Sequence, residues 1–149
     1  MGLERRQRKG ELHFVTFGCF HRCAYLESVA ARDLFEDALQ KAHSWYRFEV
    51  LGYVVMPEHV HLLVSEPGRE SLSVALQGLK LSVARRARTR PFWLPRYYDF
   101  NVLTEEKRLE KFNYIHWNPM KRGLVDWPED WRWFQLPLLP NWGTGTGDH

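Results

Sequence analysis

Two histidines flank a valine at His59-Val60-His61. The run from His59 to Ser65 (HVHLLVS) is rich in β-branched and aliphatic residues and reads as a strand. Side chains alternate across a strand, so His59 and His61 share one face while Val60 and Leu62 take the other. Two imidazoles on a rigid face can hold a divalent metal, each keeping its second nitrogen for an orienting partner. Two ligands do not complete a site, and a surface or hydrogen-bonded histidine pair has the same spacing. A third ligand has to come from elsewhere in the chain.

Tyr114 and Asn118 stand four apart in a segment of helical pattern, which sets them on one helix face. A phenol can act as a covalent nucleophile. An amide oxygen can ligate a hard cation such as Mg²⁺ or Mn²⁺. Taken alone, the pair also fits a half-buried ring and an ordinary helix cap before Pro119. A third feature is charge. No acidic residue occurs in the 28 positions from Ser71 to Tyr98, which hold Lys80, Arg85, Arg86, Arg88, Arg90 and Arg96. Phe92, Trp93, Tyr97 and Tyr98 are interleaved with the last of these. Cations for phosphates beside rings for bases are the parts of a single-strand binder. Cations in a last helical turn also complement the macrodipole, which accounts for part of the cluster but not for the absence of acids. Lys80 reads equally as a phosphate contact and as a solvated helix lysine.

The elements that must position these residues follow from periodicity and punctuation. Residues 11–18 (ELHFVTFG) form a strand, and residues 19–27 a loop. Ser28 caps a helix over about 29–45, with Leu34, Phe35, Ala38, Leu39 and Ala42 at helical spacing. Phe48 to Met56 is a strand, interrupted by Pro57-Glu58 and followed by the strand His59 to Ser65. The gap is too short for a crossover, so these two pair as a hairpin. Ser71 or Ser73 caps a second helix reaching about Arg88, and Arg96 to Leu103 is a short strand. Thr104 caps a third helix over 105 to about 117, which Asn118-Pro119 is expected to end or kink. The order β-α-β-β-α-β-α predicts an α+β fold. Its first six elements match the ferredoxin-like (RRM-like) antiparallel sheet with helices packed on one face, and a C-terminal helix carrying the tyrosine follows.

The chain has 149 residues, 44% hydrophobic and 26% charged, with a net charge of +3. This fits one globular domain, with a core over about 12–133 and flexible tails at 1–10 and 141–149. Wholesale disorder and low-complexity architecture are excluded. Two cysteines, Cys19 and Cys23, are too few for a disulfide framework or a structural zinc site, and read as reduced thiols in a cytoplasmic protein. Arg5, Arg6, Arg8 and Lys9 are followed by no long apolar run, so the start does not read as a signal peptide. No apolar stretch reaches 18 residues, so no membrane span is expected.

Several blocks together are similar to the single-tyrosine HUH (His-hydrophobic-His) transposases, and above all to the REP-associated tyrosine transposases. They are YVVMPEHVHLLV around His59 and His61, FWLPRYYDFNVL from Phe92, YIHWNPMKRGLV from Tyr114 to Val125, and the Trp-rich PEDWRW. The resemblance runs from about Leu12 to Trp133. It implies a ferredoxin-like fold and metal-dependent cleavage of single-stranded DNA next to small hairpins. His59 and His61 would be metal ligands and Tyr114 the nucleophile, giving a 5′-phosphotyrosine link and a free 3′-hydroxyl. Related transposases carry their third ligand, a Gln, four residues after the tyrosine. Asn118 stands there, one methylene shorter and followed by Pro119. Glu58 ranks below Asn118 as a substitute, because on a regular strand it points away from both imidazoles. The implied cofactor is Mg²⁺ or Mn²⁺, and the implied partner is hairpin-bearing single-stranded DNA of the nucleoid. Both monomers and homodimers fit the resemblance.

Three other readings compete. Histidine-triad nucleotide hydrolases need a further histidine two residues on, but position 63 is Leu. A non-catalytic module derived from a transposase would bind single-stranded or hairpin nucleic acid without needing metal. A small-molecule metalloenzyme would have a closed pocket and no salt-dependent DNA binding.

Overall fold

The run His59–Ser65 is a strand with six of its seven residues buried. Its position explains this. The computed structural model describes residues 12–136, and there five strands form one antiparallel sheet. They are β1 (Leu12–Gly18), β2 (Val50–Val55), β3 (His59–Ser65), β4 (Tyr98–Val102) and β5 (Phe134–Gln135), in the order β4-β1-β3-β2-β5. Strand β3 is therefore central, paired with β1 on one side and β2 on the other. Three helices complete the architecture: α1 (Val29–Tyr46), α2 (Leu72–Ala87) and α3 (Glu105–Lys121). The first four strands have the order of the ferredoxin-like pattern, as expected. The expected tails at 1–10 and 141–149 lie outside the described residues.

Each helix starts where a hydroxyl can satisfy an orphan N–H. Ser28, Ser71 and Thr104 accept from the backbone N–H of Ala31, Val74 and Lys107. The two sheet faces then diverge. Val60, Leu62, Val15 and Phe17 face α1 and α2, where the Phe17 ring meets Phe35 at 6.2 Å and Trp93 at 4.9 Å. His59, His61, Phe14 and Thr16 face α3, whose Tyr114 ring lies 6.0 Å from that of Phe14. Gly52 on β2 lets the segment of β5 come close. A Cβ there would lie 2.8 Å from Leu136 Cδ2 and 3.6 Å from Ile115 Cδ1.

Two elements depart from expectation. Helix α3 does not end at Asn118-Pro119 but runs through Pro119 to Lys121, with Arg122 as its cap. Pro119 sits in the last turn and is buried, so few hydrogen bonds remain beyond it for the ring to break. The Arg122 N–H still donates to Asn118 O at 2.9 Å, and the chain leaves through Gly123 at φ +77°. The Trp-rich segment, for which no role was assigned, closes the sheet edge. Strand β5 pairs with β2, and the Trp131 indole donates to Val55 O at 3.0 Å. Trp131 and Trp133 hold the Arg32 guanidinium of α1 at 4.6 and 3.9 Å from their ring centres. Cys19 is buried, Cys23 is exposed, and both are free. Among the described residues no helix is long and apolar enough to cross a membrane.

Candidate active site

Strand alternation brings His59 and His61 to the α3 face, with their Nε2 atoms 3.0 Å apart. The remaining nitrogen of each ring is held. His61 Nδ1 lies 2.7 Å from Thr16 Oγ1, directly opposite on β1. His59 Nδ1 donates to Glu58 Oε2 at 3.1 Å. His61 is also clamped between rings: Phe14 stacks on it at 5.5 Å and Tyr114 meets it edge-on at 5.0 Å. Burial, with His59, Lys111 and Arg122 adding positive charge, pushes the His61 imidazolium down to about 3. Burial also lowers His59, against the opposing pull of Glu58. Both rings therefore favour the neutral form, which is the form that ligates metals.

The donor geometry suits a metal. Two nitrogens each about 2.1 Å from one cation and 3.0 Å apart subtend roughly 90°, the angle of an octahedral shell. A tetrahedral ion would set them about 3.4 Å apart. The spacing is compatible with two nitrogens sharing one cation. Helix α3 covers the pair. Tyr114, Asn118 and Arg122 recur every four residues on one helix face. Tyr114 touches His61, and Arg122 donates to Glu58 Oε2 at 2.7 Å. Asn118 lies between them, 7% exposed, with an Nδ2 that has no hydrogen-bond partner among the described residues. Turning the amide end for end offers Oδ1 from the same space. Among the described residues no three His, Cys, Asp or Glu side chains are arranged so that they alone could hold a metal ion. Asn118 is thus a candidate donor on the helix face that also carries Tyr114.

Glu58 differs from expectation. It does not point away from the imidazoles but contacts His59, because it sits in the turn before β3, where strand alternation has not begun. Its carboxylate also lies 3.8 Å from Arg22. Burial alone would raise its pKa, but Arg122 and His59 hold it below the usual range. It meets the outer nitrogen of His59 and so orients that ring rather than competing for the inner nitrogen. Thr16, Arg122 and Lys111 escaped the reading of the sequence. Thr16 alternates with Phe14 on β1, and Arg122 stands eight residues after Tyr114, so both were findable once the faces were known. Lys111 lies over the Phe14 and Phe100 rings at 4.8 and 4.6 Å.

The cations read from the acid-free stretch do not join this cluster. Lys80, Arg85, Arg86 and Arg88 belong to α2 and its cap, and Arg90 and Arg96 to the connection into β4. This layer lies across the sheet from the histidines. Arg86 is paired with Asp37 of α1 at 2.9 Å. Lys80 is not a solvated lysine: it is half-buried and donates to Leu94 O at 2.9 Å, and burial lowers its pKa. Arg85, Arg88, Arg90 and Arg96 are exposed.

The model of the family described as "Transposase IS200 like" matches residues 7–116. The chain belongs to this family of IS200-like transposases. The matched stretch takes in His59, His61 and Tyr114 and stops short of Asn118. Among curated proteins, the REP-associated tyrosine transposase of Escherichia coli (strain K12) is 27% identical over 124 residues, covering 83% of this chain and 74% of its own length. A solved structure of a REP-associated tyrosine transposase bound to a REP hairpin superposes with a TM-score of 0.77. It shares 23% identity and covers 100% of this IS200-like chain and 88% of its own. That likeness is one of fold. It agrees with the resemblance carried by the MPEHVHLLV and YIHWNP blocks.

Proposed function

We propose that this IS200-like transposase cleaves and rejoins single-stranded DNA next to a hairpin, through a covalent 5′-phosphotyrosine on Tyr114. The observation that carries this reading is the half-exposed Tyr114 ring set against His61, whose Nε2 converges with that of His59. His59, His61 and Asn118 would hold a Mg²⁺ or Mn²⁺ ion, which supplies Lewis-acid polarisation of the scissile phosphate. The hairpin as partner is suggested by the neighbouring structure, which holds one.

The chain's own residues do the rest. Tyr114 Oη attacks phosphorus, its proton passing to solvent at the open side of the ring. The P–O3′ bond breaks, and the departing oxygen takes up a proton as a 3′-hydroxyl. The new phosphotyrosine keeps the energy of the phosphodiester, so a 3′-hydroxyl can reverse the step and join strands without ATP. Water as nucleophile would lose that bond. Lys111 and Arg122, whose charges both bear on His61, would offset the negative charge gathering on the phosphoryl oxygens. Glu58 and Thr16 keep the two rings aimed.

The test uses hairpin oligonucleotides from the DNA flanking the gene, incubated with protein and Mn²⁺ with and without chelator, then run on a denaturing gel. A chelator-sensitive covalent band, absent in Tyr114→Phe although Mn²⁺ still binds, is the expected result. An adduct that persists in Tyr114→Phe refutes the nucleophile. A salt-sensitive shift on a native gel with no adduct transfers the weight to a binding module.

A further inference from the structure

Across the sheet from the histidines, α2 and the connection to β4 enclose a groove of about 590 Å³. Its walls are apolar and aromatic, built from Ala84, Leu81, Phe92, Trp93 and Tyr97, and no carboxylate lines it. That size and lining match a small-molecule or nucleotide site. The polar groups are few. Gln77 and Ser73 lie along the α2 wall, Arg90 stands at the rim, and Lys80 is half-buried. Lys80 spends one N–H on Leu94 O, and its ammonium also lies 5.4 Å from the Phe17 ring centre. An ammonium has three N–H donors, so it can still serve an anion at the groove.

The helix dipole does not account for this charge. Arg85 and Arg86 lie in the last turn of α2, where cations complement the macrodipole. Lys80 lies further back along the helix, and Arg90 and Arg96 lie beyond it. The charge therefore favours an anionic partner, and the aromatic wall, in which Tyr97 is half-buried while Phe92 and Trp93 are buried, favours a planar one. One lining residue is tied to the histidine end of the sheet. The N–H of Leu94, which lines the groove, donates to Gly18 O at 2.9 Å, and Gly18 is the register partner of His59.

We propose that this groove is a nucleotide subsite. It takes one unstacked base of the single-stranded DNA flank between Ala84 and the Trp93–Tyr97 wall, with the adjoining phosphate on Lys80 and Arg90. The inference rests on the DNA-processing reading above for the identity of the strand. It adds that the strand wraps around the end of the sheet, past Gly18 and Leu94, and is gripped on the side away from Tyr114. Stacking on such a wall is tolerant of base identity, so a thymidine oligomer is a sufficient probe.

The experiment is run with chelator present, so that neither metal nor cleavage enters. Wild-type protein is mixed with dT12 carrying one 5-iodouracil and irradiated, and the crosslinked peptides are identified by mass spectrometry. Crosslinks are expected on Trp93 or Tyr97. Crosslinks confined to other residues, or no salt-dependent binding of dT12 at all, overturn the subsite and leave the adduct assay for Tyr114 untouched. In parallel, Ala84→Leu fills the groove from its half-exposed α2 wall. Affinity for dT12 is expected to fall by about fivefold or more, the lower range for one stacked base, with affinity for a blunt, flankless hairpin unchanged. Arg90→Gln is expected to lower the salt dependence of dT12 binding by about one phosphate contact. Unchanged dT12 affinity in a natively melting Ala84→Leu, or an equal loss for both DNAs, overturns the proposal. A variant that fails to fold leaves the crosslink on the wild type to decide.

Discussion

Replacing Glu58 by Gln is expected to weaken Mn²⁺ binding about tenfold while leaving the fold intact. Glu58 Oε2 accepts from His59 Nδ1 at 3.1 Å and from Arg122 at 2.7 Å. Gln keeps the shape and can still accept through its amide oxygen, but it loses the charge. A hydrogen bond to a charged group is worth about 1.5–3 kcal/mol and a neutral one about 0.5–1.5 kcal/mol, so the His59 contact loses about 1–1.5 kcal/mol. At about 1.4 kcal/mol per factor of ten, this is roughly tenfold in Kd, the lower edge of what orienting partners of metal ligands contribute. Charge acts in the same direction. The carboxylate offsets Arg122 and Arg22, and without it the two guanidiniums stand against an incoming cation. Stability should fall by no more than about 1–2 kcal/mol, because Glu58 is 12% exposed but its partner Arg122 is 41% exposed and solvent screens the pair. The assay is calorimetric titration of DNA-free protein with Mn²⁺, with a thermal melt of each protein as control. An unchanged Kd in a natively melting Glu58→Gln protein would refute the idea that Glu58 aims His59 at a metal.

Three further expectations concern the frame that carries the site. Arg32→Ala removes a guanidinium that lies over the Trp131 and Trp133 rings and donates to Leu26 O and Glu27 O; a loss of about 2–4 kcal/mol in urea unfolding is expected, and a loss below about 1 kcal/mol would mean the tail is anchored elsewhere. Gly52→Ala puts a Cβ within 2.8 Å of Leu136 Cδ2 and 3.2 Å of Gln135 O, so β5 must shift at a cost of about 1–3 kcal/mol; an unchanged melting temperature would contradict this close approach. His13 joins β1 to Asp99 of β4 at 2.9 Å and to Glu66 at 2.7 Å. Burial opposes its protonation, but the two carboxylates prevail and raise its pKa above 6.5. Its contribution is therefore fully present below about pH 6.5 and lost as pH rises through the raised folded value. Comparing the melting temperatures of wild type and His13→Gln across that window should show a gap worth up to about 1 kcal/mol that closes at high pH; a gap that widens with pH would reverse the sign.

Much of this molecule was legible in one dimension because its signals are local. The period of two in HVHLLVS put both imidazoles on one face, and the pairing of β3 with β1 and β2 bears that out. Ser28, Ser71 and Thr104 marked helix starts because a hydroxyl satisfies an N–H only three residues away. The ferredoxin-like order followed from the succession of elements.

The site depended on contacts that no local pattern contains. Pro119 is a helix breaker by its own chemistry, yet here it lies buried in the last turn and α3 continues past it. That continuation puts Arg122 on the face that Tyr114 and Asn118 already share and brings it to Glu58, 64 residues away in sequence. Thr16 meets His61 only through the register of β1 with β3. The acid-free stretch showed that cations gather, but not that the sheet stands between them and the histidines. Residue types and short spacings depend on the chain alone. Which side of a sheet a helix covers, and which distant carboxylate meets a ring nitrogen, depend on how the apolar faces pack, and that is decided only when the whole chain has folded.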